Sequence, residues 1–146
     1  QSIAGKYEVA QHYNTPANRW DSYDPTLPPE ESAFTAIDQR TGFWVYMAEA
    51  GTLTVSGATP TTTTIPLYTG WNLIGYPTAA TRSVRTALQS VDGRYTTVYR
   101  YEAGAAQPWV RSSIDAPSWA STMTDMIPGY GYWIEVMQDC VLTIAY

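Results

Sequence analysis

Charge is scarce in this chain, and its scarcity excludes more than any single motif establishes. Only 14% of its 146 residues are Asp, Glu, Lys or Arg, against about a quarter in an ordinary globular domain. Eight basic residues lie scattered as singles among thirteen acidic ones, for a net charge of −5. A phosphate backbone is held by clustered Lys and Arg, so nucleic acid is not an expected partner. Histidine occurs once, as His12, and cysteine once, as Cys140. With one cysteine there can be no intramolecular disulfide. Cys140 is read as an ordinary residue in or beside a strand turn, with a disulfide between subunits as the sharper alternative. No Cys/His spacing suits zinc. No apolar run is long enough to cross a bilayer. No signal peptide opens the sequence, so in an exported protein the numbering would start after the signal or inside a larger precursor. Asn14-Thr-Pro, Asn18-Arg-Trp and Asn72-Leu-Ile all fail the N-glycosylation pattern.

What is present is apolar and aromatic: 45% of residues are hydrophobic and 14% are Phe, Trp or Tyr. Poverty in charge combined with abundant Thr, Ser and Tyr fits a secreted or surface-exposed β protein better than a cytosolic enzyme. The chain also repeats itself. Gln1-Ser-Ile-Ala-Gly-Lys-Tyr returns as Gln89-Ser-Val-Asp-Gly-Arg-Tyr at an offset of 88. After a one-residue slip the offset is 89: Trp20 returns as Trp109, Trp44 as Trp133, and Leu53-Thr-Val as Leu142-Thr-Ile. This self-similarity indicates an array. It divides the chain into a partial unit at 1–57, a Thr/Pro linker at 58–64 and a complete unit at 65–146. The complete unit owns a segment, Ile65 to Leu88, whose counterpart in the partial unit would lie upstream of Gln1. The linker's Thr and Pro content also suits O-glycosylation at Thr59–Thr64.

Periodicity predicts one good helix, Arg82 to Val91, with Val84, Leu88 and Val91 on one stripe beside Ala87. Thr81 or Ser83 can cap it and Gly93 can end it. Gln1 to Gly5 is then the last turn of an equivalent helix. The remainder reads as hairpins: Ile65–Tyr68 with Trp71–Tyr76, Thr96–Tyr101 with Trp109–Arg111, Tyr132–Val136 with Val141–Ile144, Val9–Tyr13 with Trp20–Tyr23, and Phe43–Met47 with Thr52–Val55. Alternation places Phe43, Val45 and Met47, like Tyr132, Ile134 and Val136, on a buried face, joined by Leu53, Val55, Leu142 and Ile144. Trp44 and Trp133 face the other way, toward a covering helix or neighbouring module. Each unit also has one long proline-bearing loop, Asp24–Glu31 and Ser112–Ser121. The expected fold is mostly β (β-rich α+β): antiparallel hairpins forming a small sandwich or partly open barrel per repeat, with one short helix.

Catalytic chemistry finds little to stand on. A nucleophile–base device would rest on His12, whose counterpart is Arg100, so His12 is read as a solvent-facing strand residue. Asp21, Asp24, Glu30 and Glu31 could gather around the first long loop for calcium or as a glycosidase pair. Their counterparts are Val110, Ser113, Trp119 and Ala120, and solvated loop carboxylates are the default. Gly70-Trp-Asn-Leu-Ile-Gly does not precede a helix N-terminus as a phosphate loop must. No cofactor or metal is expected. Aromatic rings are the one abundant resource, since planar rings stack on sugar faces. Tyr23, Tyr46, Trp119 and Tyr130 lie outside the shared pattern and are the ligand candidates. Trp20, Trp44, Trp71, Trp109 and Trp133 occupy framework positions and are read as core or inter-module packing.

Leu67-Tyr-Thr-Gly-Trp-Asn-Leu-Ile-Gly-Tyr-Pro, Val98-Tyr-Arg-Tyr, Trp109, Pro128-Gly-Tyr-Gly-Tyr-Trp-Ile and Val141-Leu-Thr-Ile follow in an order that resembles a tandem module of secreted bacterial and archaeal surface proteins. The first unit departs from it at Asp38-Gln-Arg-Thr-Gly-Phe-Trp, which lacks the Pro-Gly. The resemblance implies extracellular or cell-surface architecture without a defined activity. The expected function is a non-catalytic structural or interaction module of a surface layer, sheath or filament. Its partners are other copies of itself or neighbouring repeats, assembling by strand addition at the truncated unit. The alternative is a carbohydrate-binding module for cell-surface glycans. Two plainer accounts of the truncation are a partial unit packed on the complete one, sharing its Trp71 strand, and a fragment end at Gln1.

Overall fold

The computed structural model describes residues 2–58 and 60–146. In the front segment, β1 (Tyr7–Asn14), β2 (Arg19–Tyr23) and β3 (Trp44–Met47) form an antiparallel sheet in the order β2-β1-β3. The rear segment runs β4 (Thr62–Leu67), β5 (Gly70–Gly75), β6 (Arg82–Ser83), a single helical turn α1 (Val84–Ala87), β7 (Tyr95–Tyr101), β8 (Trp109–Ser113), β9 (Asp125–Met126), β10 (Gly131–Val136) and β11 (Cys140–Ala145). There, a four-stranded sheet ordered β5-β10-β7-β8 packs against the pair β11-β4. The architecture is mostly β, as the alternation predicts, and its sheets do not close into a barrel.

The core lies between the rear sheets. Ile65 and Leu67 of β4, with Cys140, Leu142 and Ile144 of β11, face Ile74, Val98, Tyr132, Ile134 and Val136. Strict alternation along β4 and β11 puts every second side chain into this layer, where each large apolar group contributes about 1.5–3 kcal/mol by leaving water. The stripe Val84, Ala87, Leu88 and Val91 closes one end and is buried throughout. That stripe is not one continuous helix, however. Arg82 and Ser83 pair with β9, and after α1 the chain tightens into a 3-10 turn at Gln89–Val91. Ser83 is the cap: its Oγ accepts the Thr86 N–H at 3.2 Å.

Two expected hairpins are corners instead. β4 leads into β5 across the sandwich, from one sheet to the other, and β10 leads into β11 the same way. Buried Asn72 shapes the first corner, accepting the Tyr68 N–H at 2.9 Å and donating to the Tyr68 and Gly70 carbonyls at 2.7 and 3.1 Å. Asp139 ties the second corner to the first by accepting the Thr69 N–H at 2.8 Å and its hydroxyl at 2.9 Å. Spacing alone does not distinguish a hairpin from a corner, because both need a tight turn between two strands. The hairpins β1–β2 and β7–β8 do form. Of the stretch read as linker, Thr62–Thr64 belong to β4 and Thr63 is buried; Thr59 lies outside the described residues.

Burial pushes the Cys140 thiol above its ordinary range. A thiolate is the reactive form, so a maleimide added to the folded chain at pH 8 should leave Cys140 unlabelled for as long as the denatured chain takes to label fully. Equal labelling rates in the two states would place this thiol at the surface. The buried position speaks against a disulfide between subunits.

Positions related by the 88- or 89-residue offset carry the same local bonds. Lys6 N–H donates to the Ile3 carbonyl at 3.1 Å and Arg94 N–H to Val91 at 3.0 Å; Ala48 donates to Lys6, and Met137 to Arg94, both at 2.9 Å. The strand order β2-β1-β3 matches β8-β7-β10. The difference is a vacant position: β10 has β5 on its far side, whereas β3 is a sheet edge. The alternation predicts a strand at Thr52–Val55 paired with Phe43–Met47; those residues form none, and Leu53 and Val55 are exposed rather than buried. They still follow the path of β11, with Thr54 N–H donating to Ser2 Oγ at 2.6 Å as Thr143 N–H donates to Ser90 Oγ at 2.8 Å. β11 is a strand because β4 pairs along its length. Residues 51–56 have no such neighbour, and an unpaired extended segment does not make a ladder.

Candidate functional site

Two surfaces draw together the residues that can recognise something. The first is a cleft of about 440 Å³ lined by Tyr13, Trp71, Tyr99, Trp109 and Trp133. Its floor is the outer face of the rear sheet, where alternation sends one ring from each strand to the same side: Trp71 from β5, Trp133 from β10, Tyr99 from β7 and Trp109 from β8. Tyr13 arrives from the β1–β2 hairpin, its ring 5.3 Å from Trp133 and 5.4 Å from Trp20. Further contacts make the array continuous: Trp71–Tyr99 at 5.7 Å, Tyr99–Trp109 at 6.1 Å, Tyr101–Trp109 at 5.2 Å and Trp44–Tyr101 at 4.9 Å. These pairs are tilted or edge-to-face, as ring quadrupoles prefer, each worth about 0.5–1.5 kcal/mol beyond its burial.

The front segment thus covers part of that face. The contact is fixed at the β5 edge, where Gly75 N–H donates to the Arg40 carbonyl at 2.8 Å, Thr41 bridges Ile74, and the Thr15 hydroxyl donates to the Trp71 carbonyl at 2.9 Å. Glycine is required on both sides. A Cβ on Gly42 would stand 2.5 Å from the Ile74 oxygen, and one on Gly75 2.6 Å from the Gln39 oxygen.

The second surface is an apolar groove of about 320 Å³ in the front segment, lined among others by Ile3, Tyr7, Tyr23, Phe43, Val45 and Leu53. Its apolar residues stand where the rear segment has its core. The rear core also draws on Ile65, Leu67, Ile74, Tyr76, Val84, Ala87 and Leu88, and the front segment has no counterpart of these seven. Ile3 is its one buried apolar side chain among those described. The groove opens beside the free edge of β3.

The framework tryptophans all fall in the aromatic array, yet Trp20 and Trp109 remain 45% and 46% exposed, so they line a surface as well as pack. The four ligand candidates are not brought together. Tyr46 projects from β3, Trp119 stands 83% exposed on a 3-10 turn, Tyr23 packs on Phe34 at the groove, and Tyr130 lies under the Arg100 guanidinium at 4.9 Å. Tyr13, Tyr99 and Tyr101 were not singled out in the sequence. The signal for Tyr99 was its alternation with buried Val98 and Arg100 on β7.

His12 is half-buried rather than solvent-facing. Its Nδ1 lies 3.2 Å from the Gly42 carbonyl and its ring 6.4 Å from Phe34. Arg100, which suggested exposure, is itself buried and paired with Glu102. Asp21 accepts from Asn14 at 2.9 Å and Arg19 at 2.8 Å, and these hydrogen bonds, Asn14's first, lower its pKa. Asp24 is held by Thr26, and Glu30 and Glu31 are exposed on a 3-10 turn. Among the described residues, no three His, Cys, Asp or Glu side chains gather, and no helix is long and apolar enough to cross a membrane. No family model, curated protein or solved structure matches this chain.

Proposed function

We propose that this chain is a non-catalytic structural or interaction module of an exported repeat protein of the surface-layer, sheath or filament kind. In this reading the front segment is completed by the strand–corner–strand–helix segment of another repeat. The observation that carries it is the groove beside the free edge of β3, lined by Tyr7, Phe43, Val45 and Leu53 where the rear segment keeps its core. An open edge offers unpaired N–H and C=O groups as a template for one more strand. Alternate side chains of the added strand fill pockets while its backbone supplies the hydrogen bonds. The segment that does this job in the rear unit is Thr62 to Leu88, and a homologous one fits the same role in front. The low charge and the motif order shared with secreted surface modules support an extracellular or cell-surface setting.

A synthetic peptide spanning Thr62 to Gln89 tests this directly against the intact chain. Saturable binding with one peptide per chain and a raised melting temperature are expected, as is weaker binding to Val45→Asp. Absence of peptide binding, together with a monomer at every concentration in light scattering, would overturn the proposal.

A further inference from the structure

We infer that the aromatic cleft is a binding site for a neutral oligosaccharide of equatorially substituted pyranoses, such as a β-1,4-linked glucan chain. The inference is independent of strand addition, since the cleft floor is the four-stranded rear sheet and the strand-addition groove lies beside β3 of the front sheet. Every side chain lining the cleft is an aromatic ring, with no aliphatic group among them. Such a surface favours a flat ligand whose faces carry C–H bonds, and pyranoses with equatorial hydroxyls present axial C–H groups on both faces. The volume of about 440 Å³ falls within the range of small-ligand sites, about 300–1,000 Å³. The floor rings follow one another at centroid distances of 6.4 Å for Trp133–Trp71, 5.7 Å for Trp71–Tyr99 and 6.1 Å for Tyr99–Trp109, a spacing comparable to one sugar unit in an extended chain.

Polar side chains share the sheet face with the cleft rings without lining the cleft itself. Register places Glu135 and Thr97 beside each other on the cleft face, with Ser113 next to Thr97 and Arg111 next to Tyr99. Glu135 Oε2 accepts the Thr96 hydroxyl at 2.5 Å, and Oε1 has no partner among the described residues. One acid and one base leave the face near neutrality, which selects against a charged sugar. Bases of single-stranded nucleic acid also stack on such rings, but that mode needs a positively charged groove to track the backbone, and Arg111 alone does not supply one.

The test is calorimetry and tryptophan fluorescence with cellohexaose on the intact chain. Saturable binding with a change in emission is expected. Trp109→Ala, at a ring 46% exposed and so tolerable to the fold, should weaken it at least about tenfold, equivalent to 1.4 kcal/mol. Glu135→Gln should weaken it less, and Trp119→Ala not at all, because Trp119 lies outside the cleft. Circular dichroism shows that each variant is folded. Absence of saturable cellohexaose binding overturns the inference, as does binding that survives Trp109→Ala in full. Capture of a decaproline peptide in place of the sugar also overturns it, assigning the cleft to extended proline-rich chains. Retained binding of the Thr62–Gln89 peptide by Trp109→Ala separates a failure here from a failure of the strand-addition proposal.

Discussion

Leu142→Ala is expected to lower the unfolding free energy by about 2–5 kcal/mol, while Leu53→Ala stays within about 0.5 kcal/mol. The substitution is the same and the positions are related by the 89-residue offset; only their surroundings differ. Leu142 is fully buried on β11, held between the β4 ladder and the four-stranded sheet. Removing its side chain forfeits transfer free energy and leaves a cavity that close-packed neighbours fill only in part. Leu53 lies 48% exposed at the groove, so truncation gives up contacts on one side and leaves no enclosed void. Urea denaturation with matched slopes for the two variants measures the difference. Equal losses would mean that the front groove is filled. Adding the Thr62–Gln89 peptide should make Leu53→Ala costly, because the pocket then closes over that position.

How much of this was legible beforehand depended on the range of the interaction. Burial of Tyr132, Ile134 and Val136, and of the stripe Val84–Val91, followed from alternation and helical spacing, which are properties of a few adjacent residues. That β5 pairs with β10 and not with β4 goes with a corner at Tyr68–Gly70 that bonds to Asp139, 70 residues along the chain from Thr69, a contact that no local pattern encodes. The failure of residues 51–56 to form a strand has the same origin. Leu53-Thr-Val has the composition of Leu142-Thr-Ile, but a strand exists only alongside a partner. The offset relates Trp20 to Trp109 and Trp44 to Trp133, and these rings lie with Trp71 in one aromatic array. Their exposed faces did not follow, because exposure of Trp109 depends on how far the front segment extends over the sheet. The four tyrosines and tryptophans outside the shared pattern were singled out by difference alone, and difference carries no information about proximity.

Gly42→Ala is expected to detach the front segment from the rear one. A Cβ there would lie 2.5, 2.7 and 2.8 Å from the O, C and N atoms of Ile74; these are backbone atoms within a paired strand and have no rotamer into which to retreat. Relief must come from the 38–43 segment lifting away, which breaks the Gly75-to-Arg40 hydrogen bond and the Thr41–Ile74 bridge. Overpacking of this kind costs about 1–3 kcal/mol, and each lost hydrogen bond adds about 0.5–1.5 kcal/mol. Trp44 and Tyr13 then part from Trp109 and Trp133, so the near-ultraviolet dichroism of the coupled rings should fall and tryptophan emission should shift to the red. Hydrogen exchange at the Gly75 amide should accelerate while the amides of β4 and β11 keep their protection. Gly57→Ala is the control, since a Cβ at Gly57 meets nothing within 4 Å. Gly75→Ala attacks the same contact from the other strand, with its Cβ 2.6 Å from the Gln39 oxygen. Once either substitution has separated the backbones, the second has little left to break. The double variant should therefore cost about as much as the more damaging single one, well short of their sum. Full additivity would mean that the two glycines serve separate contacts and that the front segment is anchored elsewhere.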